Sequence, residues 1–124
     1  FALVKLYGST TRYKPVQLNR NVSVPSQPNQ QLLVLGWGAQ DPLNSKIVAS
    51  TLQQATVDYI PNEQCKQIVG PINNGRIETL AAHIVSVSLC AIDFQEGQDS
   101  CNGDSGGPIL ATVENQLVQV GIAS

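Results

Sequence analysis

The residues best suited to chemistry lie in the stretch GQDSCNGDSGGPIL, residues 97–110. Ser105 stands there between Asp104 and two glycines, and such small neighbours allow backbone N–H groups to turn toward a reacting carbonyl group. Gly103 can also adopt positive φ values that other residues avoid. The stretch therefore predicts a nucleophilic serine beside an oxyanion hole. The alternative is a polar turn between strands, since Gly, Asp and Ser are common turn residues.

A nucleophilic serine needs a general base, and the sequence contains one histidine, His83. The pattern GDSGG also fits the G-x-S-x-G nucleophile elbow, which belongs on a strand-to-helix turn with its acid and histidine following the serine. Here Ser105 is followed by GGPILATV, which does not predict a helix, and Glu114 is the only charged residue after it. The elbow interpretation is therefore rejected.

Composition limits the remaining functions. The 124 residues are 42% hydrophobic and 13% charged, which suits one globular domain or part of one. The net charge is -2 and no run of Lys or Arg occurs, so neither nucleic acid nor a membrane surface is an expected partner. No apolar stretch approaches the roughly 20 residues that a membrane-spanning helix needs. No metal site or cofactor is predicted.

The elements that must position the serine are mostly short strands. Alternating or continuous apolar patterns predict strands, and 62–70 predicts a short helix with Asn62 as N-cap. Residues 12–31, with three prolines and many amide side chains, predict an extended connector. This pattern predicts an all-β antiparallel barrel or sandwich. The predicted strands are 1–8, 32–38, 50–60, 83–92 and a hairpin of 108–113 with 116–124 around a turn at Glu-Asn-Gln.

Both ends of the sequence coincide with strand patterns. The chain has no Met, FALVKL opens directly on a period-2 pattern, and QLVQVGIAS stops within one. An odd number of cysteines in an oxidised protein also indicates a partner elsewhere or a free thiol. We therefore expect that these residues are a piece of a longer protein.

Five segments resemble one known family. DSCNGDSGGP, LGWG, ALVKL, LCA and VGIAS occur in the order and at about the spacings of the chymotrypsin/trypsin-like serine proteases. The resemblance implies the double antiparallel β-barrel fold, with the active site between the barrels. Residues 1–8 then match the last strand region of the first barrel and 9–30 the connector. Residues 31–124 match the second barrel without its last strand and terminal helix.

The resemblance also implies roles for single residues. Ser105 matches the nucleophile, and its N–H and that of Gly103 match the oxyanion hole. Asp104 matches the residue that binds the new N-terminal ammonium after zymogen cleavage. Asp99 matches the carboxylate that selects Arg or Lys before the cleaved bond. Further substrate-binding positions are Ser100, Asn102 and Ser124.

The family's triad order is His, Asp, Ser, so the partners of Ser105 are expected before Phe1, with the aspartate directly preceding it. His83 follows LGWG and lies seven residues before Cys90, where that order excludes the general base. We therefore predict no catalytic role for His83, and no measurable proteolysis by these 124 residues alone.

The cysteines also have counterparts in the family. Cys65 and Cys90 match a bridged pair, whereas Cys101 matches a cysteine whose partner would follow Ser124. Many relatives carry a further disulfide at the positions of Leu32 and Ala111. Because both of its halves are absent here, apolar packing is expected in its place.

Two functions are compatible with these observations. The first is a secreted, zymogen-activated serine endopeptidase that cuts protein or peptide substrates after Arg or Lys, acts as a monomer, and has protein protease inhibitors as candidate partners. The second is a catalytically inactive homologue that binds proteins. An intact GDSGGP and Asp99 favour the first. The sequon Asn21-Val22-Ser23 is consistent with secretion but is frequent by chance.

Overall fold

The computed structural model describes residues 3–41, 44, 46–68, 84, 86–93 and 100–124. These residues form one six-stranded sheet and one short helix. The strand order across the sheet is β1-β6-β5-β2-β3-β4, and all pairs except β1–β6 are antiparallel. The predicted all-β class is confirmed. The elements are β1 Gln17–Leu18, β2 Gln31–Gly36, β3 Gln53–Ile60, α1 Asn62–Ile68, β4 Cys90–Ile92, β5 Pro108–Val113 and β6 Gln116–Ile122.

The core lies where β2 pairs with both of its neighbours. Leu32 and Val34 alternate inward from β2 and are buried with Val57 of β3 and Ala111 of β5. Leu32 is the direct partner of Ala111 in the β2–β5 register, and each is 1% exposed. The expectation of apolar packing at these two positions is confirmed. Their burial fixes the register, because a one-residue slip would move both to the opposite face.

The hairpin of β5 and β6 forms as predicted. Its two connecting residues, Glu114 and Asn115, have φ of 49° and 61°. Positive φ at both central residues is the signature of a type I′ turn, whose twist matches that of the flanking strands. A register shift between Ile109 and Leu110 interrupts the ladder near the start of β5.

Helix α1 is confirmed, but its cap differs from the prediction. The carbonyl of Pro61 accepts the first helical hydrogen bond, from the Cys65 amide at 2.9 Å, so Pro61 occupies the N-cap position. The Asn62 side chain instead donates to the Ser88 carbonyl at 3.0 Å. Cys65 is bonded to Cys90 at the start of β4, which confirms the predicted disulfide and ties the helix to the sheet. Gly70, the predicted helix stop, lies outside the described residues.

Two predicted strands differ in the structure. Residues 3–8 pair with no strand among the described residues and are exposed, because an alternating pattern makes a strand only where a neighbour supplies hydrogen bonds. Within the strand predicted over 83–92, the described residues form β4 and a turn at Ser86 and Val87, and residues 83 and 85 lie outside the described ranges. β4 is the outer strand beside β3 and pairs over three residues only.

The connector contributes a strand that its composition does not predict. Gln17 and Leu18 pair in parallel with Val118 and Gln119 of β6, and the amide of Asn19 continues this pairing to the Gln119 carbonyl. This short pairing covers part of the outer edge of β6. Within the portion of the chain that the structure describes, no helix has the length and apolarity to cross a membrane.

Candidate active site

The segment around Ser105 is built from two consecutive turns. The amide of Asp104 donates to the Cys101 carbonyl at 3.0 Å, and the amide of Gly107 donates to the Asp104 carbonyl at 2.9 Å. The third residue of each turn is a glycine with positive φ, 101° at Gly103 and 89° at Gly106. A type II turn requires such a φ at this position, and glycine adopts it without steric cost. The glycines flanking Asp104-Ser105 are therefore explained by backbone conformation.

Both sides of this double turn are anchored to the sheet. On one side, the amide of Ala39 donates to the Asn102 carbonyl at 2.8 Å. On the other, the Gly106 amide donates to the Ala123 carbonyl at 2.7 Å, and the Ala123 amide donates to the Gly107 carbonyl at 2.9 Å. The loop that carries Ser105 is thus held between the residues following β2 and those following β6.

Asp104 provides the third anchor through its side chain. Its Oδ1 accepts a hydrogen bond from the Gly38 amide at 2.7 Å, and its Oδ2 accepts one from the Cys101 amide at 2.9 Å. The carboxylate lies so close to the Gly-Trp-Gly segment that a Cβ on Gly36 would overlap Oδ1, and a Cβ on Gly38 would lie 2.5 Å from both oxygens. The two glycines of this motif therefore make room for Asp104.

The anchoring leaves particular amides available. Among the hydrogen bonds of the described residues, none uses the N–H of Gly103 or of Ser105, whereas the amides of Asp104, Gly106 and Gly107 are all engaged. Ser105 and Gly103 are both exposed. An oxyanion hole requires two such donors near the nucleophile, so the prediction that Gly103 and Ser105 supply them stays open to test.

Three of the predicted substrate-binding residues, Ser100, Asn102 and Ser124, line one cavity with Ser105. This cavity has a volume of about 420 Å³, and the rest of its lining comes from Cys101, Asp104 and Ala123. A second groove of about 390 Å³ shares Asp104 and Ser105 and is otherwise largely apolar. Its remaining lining comes from Leu35, Gly36, Trp37, Leu52, Gly103, Gly107 and Pro108. Ser105 thus borders two separate depressions.

The structure does not describe two residues to which the sequence analysis gave a prediction. Asp99, the predicted specificity residue, and His83, predicted to be non-catalytic, both lie outside the described residues. The third cysteine, Cys101, is half-buried and is not disulfide-bonded in this chain. No group of three or more His, Cys, Asp or Glu side chains within the described ranges could hold a metal ion.

Sequence reasoning missed some contributors to the site. Gly36, Gly38 and Ala123 appeared in the sequence analysis only as parts of the motifs LGWG and VGIAS, with no structural role of their own. The signal for the glycines is their pairing around a single Trp37 at the end of a strand, since an isolated strand glycine often marks close backbone approach. No feature of the sequence identifies Ala123 as the partner of Gly106.

Comparison with known proteins decides the family. The family model described as Trypsin matches residues 1–124, which is the whole chain. The chain belongs to the trypsin family. Its trypsin-like serine protease domain is 36% identical over 115 residues to coagulation factor XII of Sus scrofa, covering 90% of this chain and 17% of that protein. It is 30% identical over 103 residues to tonin of Rattus norvegicus, covering 78% of this chain and 35% of tonin.

The solved structures agree on the fold of this trypsin-family chain. The secreted serine protease VesC from Vibrio cholerae superposes with a TM-score of 0.63 at 23% identity, over 88% of this chain and 20% of VesC. The predicted trypsin-like fold is therefore confirmed. The chain spans between 13% and 35% of the length of the curated relatives compared, which include the serine protease Hayan of Drosophila melanogaster.

Proposed function

We propose that this chain is the nucleophile-bearing part of a serine endopeptidase that hydrolyses peptide bonds after Arg or Lys. The single observation that carries the proposal is the double turn around Ser105. It exposes the hydroxyl, leaves the Gly103 and Ser105 amides without partners among the described residues, and engages the neighbouring amides. The central amides of a plain turn also face solvent, but here the two open amides belong to an exposed serine and to the residue two positions before it, and that serine lines a cavity of about 420 Å³.

The reaction proceeds through an acyl-enzyme. Ser105 Oγ attacks the scissile carbonyl carbon while its proton passes to a histidine, and the carbonyl oxygen becomes an oxyanion that accepts hydrogen bonds from Gly103 and Ser105. Collapse of this intermediate breaks the C–N bond, and the amine leaves with the proton. Water then hydrolyses the ester by the same steps. We assign the histidine and the aspartate that orients it to residues outside these 124, because His83 follows the Gly-Trp-Gly segment.

Specificity for Arg or Lys rests on Asp99. A carboxylate in a partly desolvated pocket pairs with a guanidinium or ammonium, and leaving it there without a cation is costly. Ser100, the residue after Asp99 in the sequence, and Ser124 line the same cavity as Ser105. The substrate main chain is assigned to the exposed Ser124, two residues after the end of β6.

Secretion and zymogen activation complete the proposal. The Cys65–Cys90 disulfide supports an oxidising compartment. The Asp104 carboxylate uses one hydrogen bond per oxygen within the described residues, and a carboxylate has about four acceptor positions, so it retains capacity for an ammonium group. Protein protease inhibitors, a monomeric state and the domain division at 8/9 and 30/31 belong to the same proposal.

The test is covalent labelling of the activated full-length protein with a fluorophosphonate probe, followed by peptide mapping. We expect the label on Ser105 and turnover of an Arg ester. Ser105→Ala should abolish labelling and lower turnover by about a million-fold, as loss of a catalytic serine does in a comparable enzyme. The control is Ser9→Ala, which changes an exposed serine of the connector. An unlabelled Ser105 with an intact fold would favour the inactive, protein-binding homologue.

A second measurement addresses Asp99 separately. A peptide library varied at the residue before the cleaved bond is compared between wild type and Asp99→Ser. We expect Arg and Lys to dominate in the wild type and to lose their advantage in the variant. A preference for Phe or Leu in the wild type, or an unchanged basic preference in the variant, would contradict the role of Asp99 and leave that of Ser105 untouched.

A further inference from the structure

We propose that Asn21 is an N-glycosylation site that carries an oligosaccharide in the secreted protein. The sequon Asn21-Val22-Ser23 is the one Asn-x-Ser/Thr sequence in the 124 residues, and its middle residue is not proline. All three residues are exposed in the structure. The sequon lies on the connector, between the short strand β1 and the start of β2.

The turn around Asn21 leaves its reactive atom free. The Oδ1 atom accepts a hydrogen bond from the Ser23 amide at 3.0 Å, and the Asn21 carbonyl accepts one from Val24 at 3.0 Å. None of the hydrogen bonds of the described residues uses Asn21 Nδ2 or the Ser23 hydroxyl. The side-chain nitrogen that receives a glycan is thus exposed on a turn tip, with the serine that the sequon requires two residues away.

This turn is a local structure. Asn19 Nδ2 donates to the carbonyls of Asn21 and Val24 at 2.9 and 3.0 Å, and Asn19 Oδ1 accepts from the Asn21 amide at 2.9 Å. All partners of Asn21 therefore lie within three residues of it. Side chain-to-backbone bonds of this range can form without the rest of the fold. The sequon can accordingly adopt this conformation before the sheet is complete.

Two asparagines of the chain make a comparison possible. Asn44 Oδ1 also accepts a hydrogen bond from the amide two residues on, that of Lys46, at 3.2 Å, and Asn44 is exposed as well. The residue two positions after Asn44 is lysine, whereas the one after Asn21 is serine. The two sites share exposure and turn geometry and differ in the hydroxyl, so Asn44 serves as the matched control.

The modification is a group transfer. Asn21 Nδ2 forms a bond to the anomeric carbon of an oligosaccharide held on a lipid pyrophosphate, the bond from that carbon to the phosphate oxygen breaks, and the amide loses one proton. The lipid pyrophosphate is the leaving group. Because this donor is found in the secretory pathway, the inference rests on the secretion that is part of the proposed function.

The experiment uses the full-length protein, secreted from a eukaryotic host with an added signal sequence. The secreted protein is treated with peptide N-glycosidase in heavy-oxygen water, which converts a glycosylated asparagine to labelled aspartate, and is then mapped by mass spectrometry. We expect the label at Asn21 in the wild type, in Ser23→Thr and in Asn44→Gln. We expect no label in Asn21→Gln or Ser23→Ala.

Each result bears on one proposal at a time. Ser23→Ala removes a hydroxyl with no described hydrogen bond, so the variant is expected to fold and to be secreted. A wild-type protein that is secreted with Asn21 unmodified would overturn the inference. Turnover of the Arg ester is measured on the same samples: an active enzyme with unmodified Asn21 contradicts only the glycosylation, and a glycosylated protein that does not label at Ser105 contradicts only the proposed protease.

Discussion

The Oδ1 atom of Asp104 accepts a hydrogen bond of 2.7 Å from the amide of Gly38, which precedes it by 66 residues. The other carboxylate oxygen binds the Cys101 amide, three residues before Asp104. One side chain therefore joins the loop that carries Ser105 to the end of β2. Hydrogen bonds to a charged acceptor are stronger than those between neutral groups, so this contact adds to the backbone hydrogen bonds that hold the loop.

Replacing Gly38 with alanine is expected to displace the Ser105 loop. The new Cβ would lie 2.5 Å from both Asp104 oxygens, so either the carboxylate or the Gly-Trp-Gly segment must move. We expect the free energy of unfolding to fall by roughly 1–3 kcal/mol, the usual cost of overpacking. Urea unfolding of the full-length protein measures the loss. Gly8→Ala is the control because no atom lies within 4 Å of its added Cβ, and equal losses in both variants would contradict the steric explanation.

Asp104→Asn tests the two hydrogen bonds without changing the shape of the side chain. An amide offers one acceptor oxygen, so its NH₂ group must face either the Gly38 or the Cys101 amide, and two donors then oppose each other. We expect a loss of about 1–3 kcal/mol in unfolding free energy. Glu114→Gln removes a charge from the exposed hairpin turn and should be nearly neutral. An equally small effect at Asp104 would show that its carboxylate does not hold the loop.

Leu32→Ala tests the apolar packing between Leu32 of β2 and Ala111 of β5. Leu32 is 1% exposed and faces Ala111 across β2 and β5, so truncation removes buried apolar contacts and leaves a cavity. The expected loss is roughly 2–5 kcal/mol, measured by chemical denaturation. Leu117→Ala, at a strand position that is 48% exposed, should cost much less. Equal losses of unfolding free energy in the two variants would contradict the position of Leu32 in the hydrophobic core.

The cysteines give a prediction for the 124-residue chain itself. After refolding in a glutathione buffer, Cys65 and Cys90 should form a disulfide and Cys101 should remain open to alkylation. The bridge spans 25 residues and is worth roughly 3.5 kcal/mol on the chain-entropy estimate. Peptide mapping after alkylation under non-reducing conditions distinguishes the pairings. A peptide that joins Cys101 to either of the other two would contradict the structure.

Local features of the fold were predictable from the sequence because neighbouring residues decide them. Positive φ favours glycine, so the backbone of Gly103 and its neighbours follows from residue type. The hairpin turn between β5 and β6 and the position of helix α1 follow from patterns a few residues long. The Cys65–Cys90 bridge came from a resemblance in motif order, since three cysteines leave the pairing open.

Other features were decided only by tertiary structure, because their causes lie far apart in the chain. Gly36 and Gly38 leave room for the Asp104 carboxylate, which lies more than sixty residues later in the chain. The backbones of Gly106 and Gly107 form hydrogen bonds with Ala123. Whether an apolar alternating stretch becomes a strand likewise depends on a partner. Gln17–Leu18 pair with β6, whereas residues 3–8 pair with no strand among the described residues. The sequence by itself thus determined the turns of the Ser105 loop and the strand class. The folded sheet decided what holds that loop in place, since only folding brings distant hydrogen-bond partners together.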